Sequence, residues 1–411
     1  MTKHDAYAAL KVRDFRFFVS ARFFITLAIN LQAVIVGWQV YELTRDPLSL
    51  GLIGLAEALP SIAVSLYAGH LADIVQRKKI ILTCISILVF CSVTLLLFSL
   101  NASALTIQYG VMPIYGVIFL SGVARGFLTP ANFAYMPQLV PRDIFKNAIT
   151  WNSSFWQTAL IAGPALGGFI YGFFGLQTAY IVDVSLTCLA LLLISFVSRK
   201  ALPLTTDEQS TGEKIKAGLK FVFNNKIILG AISLDLFAVL FGGAVALLPI
   251  FAKEVLHAGA EALGLLRSAP PVGALIVAFY FAHNPINHNI GRKLLWSVAG
   301  FGLCMIAFSL STSFWLSLGI LMLSGGFDGV SVIIRSTLLQ TLTPENMKGR
   351  VSAVNNIFIG SSNEIGMFES GLAARLLGLV PSVIFGGCMT LLTVGLTAWK
   401  APSLRKLEKL D

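Results

Sequence analysis

Leu120–Gly175 reads LSGVARGFLTPANFAYMPQLVPRDIFKNAITWNSSFWQTALIAGPALGGFIYGFFG, and Leu323–Gly378 reads LSGGFDGVSVIIRSTLLQTLTPENMKGRVSAVNNIFIGSSNEIGMFESGLAARLLG. The second stretch is a copy of the first at a constant offset of 203 positions, with no gap. Leu120, Ser121, Gly122, Gly126, Leu139, Pro141, Asn152, Gly163, Gly168 and Gly175 meet Leu323, Ser324, Gly325, Gly329, Leu342, Pro344, Asn355, Gly366, Gly371 and Gly378. Most of these are small residues or helix punctuation, which close helix packing and a shared loop geometry require twice. The offset is close to half of the 411 residues, so the chain is two similar halves.

Composition says where the halves reside. Hydrophobic residues make up 56% of the chain and charged residues only 12%. Soluble domains carry about 25% charged residues, so this is a polytopic membrane protein. A span needs about 20 apolar residues. Twelve such runs are expected, near 15–43, 48–73, 79–101, 108–139, 145–174 and 177–198, then 227–251, 261–283, 293–312, 314–341, 348–377 and 380–399. The expected organisation is an N-terminal six-helix bundle over residues 1–200, a linker with an amphipathic helix over 201–226, and a C-terminal bundle with a short tail over 227–411.

Lys and Arg set the orientation. Lys3, Lys11, Arg13 and Arg16 precede the first run, and Arg77, Lys78 and Lys79 follow the second. Arg142, Lys146, the linker lysines, Arg292, Lys293, Lys348, Arg350 and the tail continue the same alternation. The opposite loops carry chiefly Arg45 and Lys253. Both termini and the linker are therefore expected in the cytoplasm, and the net charge of +10 reads as basic loops rather than a nucleic-acid surface. No cleavable signal peptide is expected, because the first apolar run is long and lacks a small-residue cleavage site. The five cysteines lie in apolar runs without a CxxC pair and read as packing residues. No metal box, nucleophile elbow or phosphate loop is present, so no enzyme, cofactor or ATP drive is expected. Dispersed polar residues argue against a pore. Internal repeats in such a chain point instead to transport, with a site at mid-membrane.

Three motifs carry chemistry. Gly69-His70-Leu71-Ala72-Asp73-Ile74-Val75-Gln76-Arg77-Lys78-Lys79 follows the second run, and Gly291-Arg292-Lys293 keeps only its tail, with His288 at the position of the aspartate. Arg125 interrupts the fourth run, and its repeat partner is Asp328. A charge at mid-membrane costs at least ~2.5–3.5 kcal/mol on insertion scales, so such residues are paired or functional. Gly163-Pro164-Ala165-Leu166-Gly167-Gly168 lies in the fifth run, where Pro164 removes a helix hydrogen bond and the glycines permit a close crossing.

These motifs resemble the major facilitator superfamily. Gly69, Asp73, Arg77 and Lys78 match its loop signature, with Gln76 in place of a glycine, and Gly163, Pro164, Gly167 and Gly168 match the antiporter motif of its drug–proton exporters. GLIGLAEALPSIAVSLYAGHLAD, LDLFAVLFGGAVALLPIFAKEVLHAG and GRVSAVNNIFIGSSNEIGMFESG resemble the bacterial enterobactin-exporter and drug-efflux branch. The resemblance implies an all-α fold of twelve transmembrane helices in two six-helix bundles, rocking by alternating access in the bacterial inner membrane. It implies a conformational latch at Gly69, Asp73, Arg77 and Lys78, and export of a small amphipathic siderophore or drug-like molecule in exchange for protons, by a monomer. An importer or facilitator of a polar solute, or a lipid scramblase, are the alternatives.

Proton exchange needs a buried group that can be neutral or charged. Asp235, Asp328, Glu364, Glu369 and Glu57 are the candidates, with Arg125 as a tuning charge, and Asp235 and Asp328 lie on helices that line the cavity in that superfamily. Asp235 is the preferred carrier, on the reasoning that Arg125 holds Asp328 ionised and leaves Asp235 free to titrate. Asp183 is read as structural. Asn30, Gln39, Tyr135, Trp151 and Asn363 are candidate ligand contacts in the cavity.

Overall fold

The computed structural model describes the chain apart from residues 1–4, 101–107, 201–210, 285, 287, 345–346 and 409–411, and, inside helices, apart from the side chains of 65–66, 69–70, 72–73, 211–215, 349, 353 and 356–357. The described residues are helical throughout their regular structure. After a single turn, α1 (Ala8–Lys11), come α2 (Arg13–Thr44), α3 (Pro47–Ile74), α4 (Arg77–Leu100), α5 (Met112–Tyr135) and α6 (Phe145–Ser195). Then follow α7 (Thr211–Asn224), α8 (Lys226–Gly242), α9 (Ala260–His283), α10 (Ile290–Leu310), α11 (Phe314–Leu342), α12 (Lys348–Leu377), α13 (Leu379–Lys400) and a final turn, α14 (Pro402–Arg405). Backbone that must satisfy its own polar groups in hydrocarbon has little alternative to the helix.

Among the described residues, ten helical stretches are long and apolar enough to cross a membrane. One of them, Arg142–Ser195, joins two expected spans. Gly175, with φ 83 and ψ 172, breaks α6 at the point where the sequence copy ends. Its repeat partner Gly378 has φ 93 and ψ 163, and separates α12 from α13. This region of backbone space is open essentially to glycine alone. α12 has the length of a span, at 30 residues, but is less apolar because it carries Glu364, Glu369, Arg375 and several polar side chains.

By contact the chain forms two compact units. One comprises Met1–Gln39 and Ala56–Glu208, the other Val40–Leu55 and Gln209–Asp411. The first packs around Phe15, Phe18, Ile81, Ile85, Leu128, Tyr135 and Ile194, all essentially inaccessible. The second packs around Leu234, Leu294, Val298, Ile334, Leu338 and Leu404. The repeated glycines draw the helices together in the same way in both. In the first unit a Cβ at Gly122 would overlap the Glu57 carbonyl oxygen, and one at Gly126 would sit 3.0 Å from the Ser61 carbonyl oxygen. In the second, Gly325 faces the Pro270 backbone and Gly329 lies 3.0 Å from the Ala274 Cα by the same measure.

Surface exposure fits a lipid setting. Trp296, Trp315 and Trp399 are 73–75% exposed, as are Phe169, Phe173 and Phe174 to a lesser degree, which suits aromatic side chains in a bilayer and at its edges. α7 is amphipathic: Gly218 and Val222 are buried while Lys216, Lys220 and Phe223 are exposed. It packs against α8 and α12 through Val222, Ile228, Ile232, Val351 and Val354.

Candidate functional site

In the first unit the membrane charges are matched by one another or by amides. Arg125 of α5 makes an ion pair with Glu57 of α3. Arg22 of α2 donates from Nη1 to Asn152 Oδ1 at 2.7 Å. Asp183 is buried and accepts from Gln32 Nε2 at 2.8 Å, while the same amide reaches Ser92 Oγ at 3.2 Å. This ties α2, α4 and the second rod of α6 together, the structural role expected for Asp183. Gly163 and Gly167 lie against α2, where their Cβ atoms would come within 2.9 Å of the Leu27 and 2.8 Å of the Leu31 carbonyl oxygens. The glycine motif is thus the seam between the fifth and first spans, and buried Pro164 lies within it.

Three expected ligand contacts each have a polar atom occupied inside this unit. Gln39 Oε1 accepts from Tyr180 Oη at 2.5 Å. Tyr135 is 1% exposed and donates to the Ser198 carbonyl at 2.6 Å. Trp151 Nε1 donates to the Ala6 carbonyl at 2.9 Å, and its ring lies 5.5 Å from that of Tyr7. In this structure Gln39 bonds across to α6, while Tyr135 and Trp151 bond to the non-helical segments at Ser198 and Ala6, partners that sequence spacing does not reveal. Among the described residues Asn30 and Asn363 bond to carbonyls one turn back on their own helices, at 2.8 and 2.9 Å.

The loop motif is partly visible. The surroundings of Gly69 and the side chain of Asp73 fall outside what is described. Lys78 Nζ donates to the carbonyls of Ser195 at 2.7 Å and Val197 at 2.5 Å. These are end carbonyls of a helix, and a lysine there satisfies orphan acceptors and the negative helix terminus. Asp14 accepts from the Ser198 N–H at 3.0 Å and pairs with Lys200 at 2.9 Å. Lys78 therefore anchors the exit of the first unit, a role additional to the expected latch. In the second unit Gly291 donates its N–H to the Leu407 carbonyl at 3.1 Å, and a Cβ there would overlap the Leu404 carbonyl oxygen.

The second unit holds the most concentrated buried charge. Asp235 of α8 makes an ion pair with Arg335 of α11, and the two side chains are 7% and 5% exposed. Asp328 lies two turns before Arg335 on the same helix, with Ser331 between them on the same face. Asp235, Asp328 and Ser331 line one small enclosed cavity with Ala238, Val239, Val298, Phe301 and Phe327. Its volume, about 10 Å³, suits about one water molecule. Among the described residues Asp328 has no hydrogen bond or ion pair. The reasoning that left Asp235 free is corrected accordingly, because Arg335 occupies Asp235 and Arg125 is taken by Glu57. The seven-residue spacing of Asp328 and Arg335 was available as a signal that both face one way. Glu364 and Glu369 lie on α12, and the Glu364 backbone packs 3.1 Å from where a Gly54 Cβ would stand. Among the described residues no group of His, Cys, Asp and Glu is arranged to hold a metal ion.

Comparison with known proteins agrees with this architecture. A family model described as transmembrane secretion effector matches residues 4–411. The enterobactin exporter EntS of Citrobacter koseri is 27% identical over 343 residues, covering 83% of this chain and 80% of that one. EntS of Escherichia coli O1:K1 is 26% identical with the same coverage. Among solved structures, a POT family transporter in complex with 5-aminolevulinic acid has a TM-score of 0.74 at 12% identity, covering 96% of this chain and 97% of its own. A bacterial homologue of the iron transporter ferroportin in an inward-facing state has 0.72 at 16%, covering 96% and 99%, and a D-xylose–proton symporter has 0.72 at 16%, covering 95% and 98%. With a model matched from residue 4 to residue 411 and transporter folds superposing along nearly the whole chain, this multi-pass membrane protein is a transporter, not an enzyme, and belongs to the transmembrane secretion effector family of the major facilitator superfamily.

Proposed function

We propose that the chain is a proton-coupled exporter of a small amphipathic molecule, siderophore-like or drug-like, in the bacterial inner membrane. It acts as a monomer of twelve spans, with residues 1–200 and 227–400 as the two rocking bundles and both termini in the cytoplasm. The observation that carries export is the secretion-family match over residues 4–411, joined by relatives named enterobactin exporters. The GPALGG seam at Gly163–Gly168 supports the same direction.

For coupling, Asp328 is the group we assign to proton exchange. Asp235 has a fixed counter-charge in Arg335, whereas Asp328 faces the same water-sized cavity without one. An acid in that setting can change charge without breaking an ion pair. Asn30 and Asn363 remain the polar candidates for ligand contact, and Asp73 with Arg77 and Lys78 the candidates for the latch.

The test is uptake into inverted vesicles under an imposed pH gradient, with catecholate siderophores, lipophilic cations and sugars as substrates. Wild type is expected to accumulate a siderophore or lipophilic compound. Asp328→Asn is expected to lose gradient-driven uptake while keeping counterflow exchange. Full gradient-driven transport by Asp328→Asn would refute the assignment, and accumulation only in right-side-out cells would replace export by import.

A further inference from the structure

We propose that the second unit carries a binding site for the headgroup of an anionic phospholipid, between the surface helix α7 and the C-terminal tail. An open surface cleft of about 440 Å³ lies there, lined by Phe221 and Asn224 at the end of α7, Asn225, Lys226 and Ile227 at the start of α8, and Ser403 of α14. Among the described residues no acidic side chain lines it. Lys226, Asn224 and Ser403 are exposed, so one cation, one amide and one hydroxyl are available to a phosphate.

The first amides of α8 are not available. Asn225 Oδ1 accepts from the N–H of both Ile227 and Ile228 at 3.1 Å, so recognition falls to the side chains. The surroundings complement an anion in a bilayer rather than in solution. Phe221 and Ile227 form apolar walls, and Phe223 beside the mouth is 58% exposed. Lys216 and Lys220 project from the exposed face of α7, and Arg405 and Lys406 follow Ser403, also exposed; Glu408 lies further along the tail. An amphipathic helix with lysines on its polar face lies in the headgroup plane, where anionic lipids attract each cation. α7 is held at a fixed height because Gly218 packs on α12, its Cβ position lying 2.8 Å from the Arg350 carbonyl oxygen. The inference rests on the proposed orientation, which brings this face to the inner leaflet.

Native mass spectrometry of the full-length protein, titrated in detergent with phosphatidylglycerol or phosphatidylcholine, tests it. Wild type is expected to retain phosphatidylglycerol preferentially. Lys226→Glu should weaken retention by at least about fivefold, the worth of one cation at a lipid surface, and Lys226→Arg should preserve it. Ser403→Trp, which crowds the cleft without altering charge, should also release the lipid. Equal retention of phosphatidylcholine, undiminished phosphatidylglycerol in both Lys226→Glu and Ser403→Trp, or full displacement by millimolar inorganic phosphate would each overturn the proposal. Retention in detergent is independent of transport and of sidedness. Maleimide labelling of Ser403→Cys from either side of the membrane tests the orientation separately.

Discussion

The two copies of the repeated stretch use one helix scaffold and two charge arrangements. In the first, Gly122 and Gly126 seat α5 on α3, and Arg125 pairs with Glu57 of that same neighbour, their side chains 34% and 18% exposed. In the second, Gly325 and Gly329 seat α11 on α9 at matching points, but Pro270 and Ala274 are what they meet. There Asp328 replaces the arginine, and the ion pair moves to Arg335 and Asp235 of α8, nearly sealed from solvent. Packing is common to both units because a glycine seam depends only on distance between backbones. Charge differs because each buried ion depends on a particular partner, and changing the partner changes which helices are tied together.

The largest effect should come from the sealed pair. Asp235→Ala leaves Arg335 buried without its counter-charge, which costs about 3–5 kcal/mol; denaturant unfolding in detergent should show it. Asp235→Asn combined with Arg335→Gln should recover part of that loss. A single variant as stable as wild type would remove the pair from the account. Next comes Gly325→Ala, whose methyl would overlap the Pro270 backbone; overpacking of this kind costs about 1–3 kcal/mol, read as a lower melting temperature in the same detergent.

Arg125→Ala should cost less, about 1 kcal/mol, since its pair with Glu57 is partly exposed. If it destabilised as much as Asp235→Ala, the contrast between the units would collapse. The smallest effect belongs to Gly116 and its repeat partner Gly319, which have open space where a Cβ would stand. Alanine at either should be neutral or stabilising by up to about 1 kcal/mol through helix propensity, and a loss at only one of them would reveal an asymmetry that the scaffold does not show.

The scaffold was legible in the sequence because apolar length and a repeated glycine pattern are one-dimensional signals. Both Gly175 and Gly378 end the copied stretch and both adopt the same glycine-only conformation. α12, expected as an apolar run over 348–377, is less apolar than the other long helices because it carries Glu364 and Glu369. Side-chain partners were another matter. Asp235 and Arg335 are a hundred positions apart, and nothing local reports that α8 turns one toward the other. Tyr135 and Trp151 looked like cavity aromatics by type, yet their polar atoms meet Ser198 and Ala6, carbonyls on distant segments. Lys78 was visible as a motif residue, but the helix end it caps lies 117 positions away.

Gly175 and Gly378 also have a mechanical consequence. Each breaks the helix at a single residue with no loop residues between the rods it joins, leaving no slack there. Such a pair cannot slide lengthwise past its partner without unwinding a turn, so force applied to one rod is delivered to the other as torque. Each half thereby contains a stiff lever, and a flexible Gly-Ser insertion at either glycine would act as a clutch, letting one arm move while the other stays still.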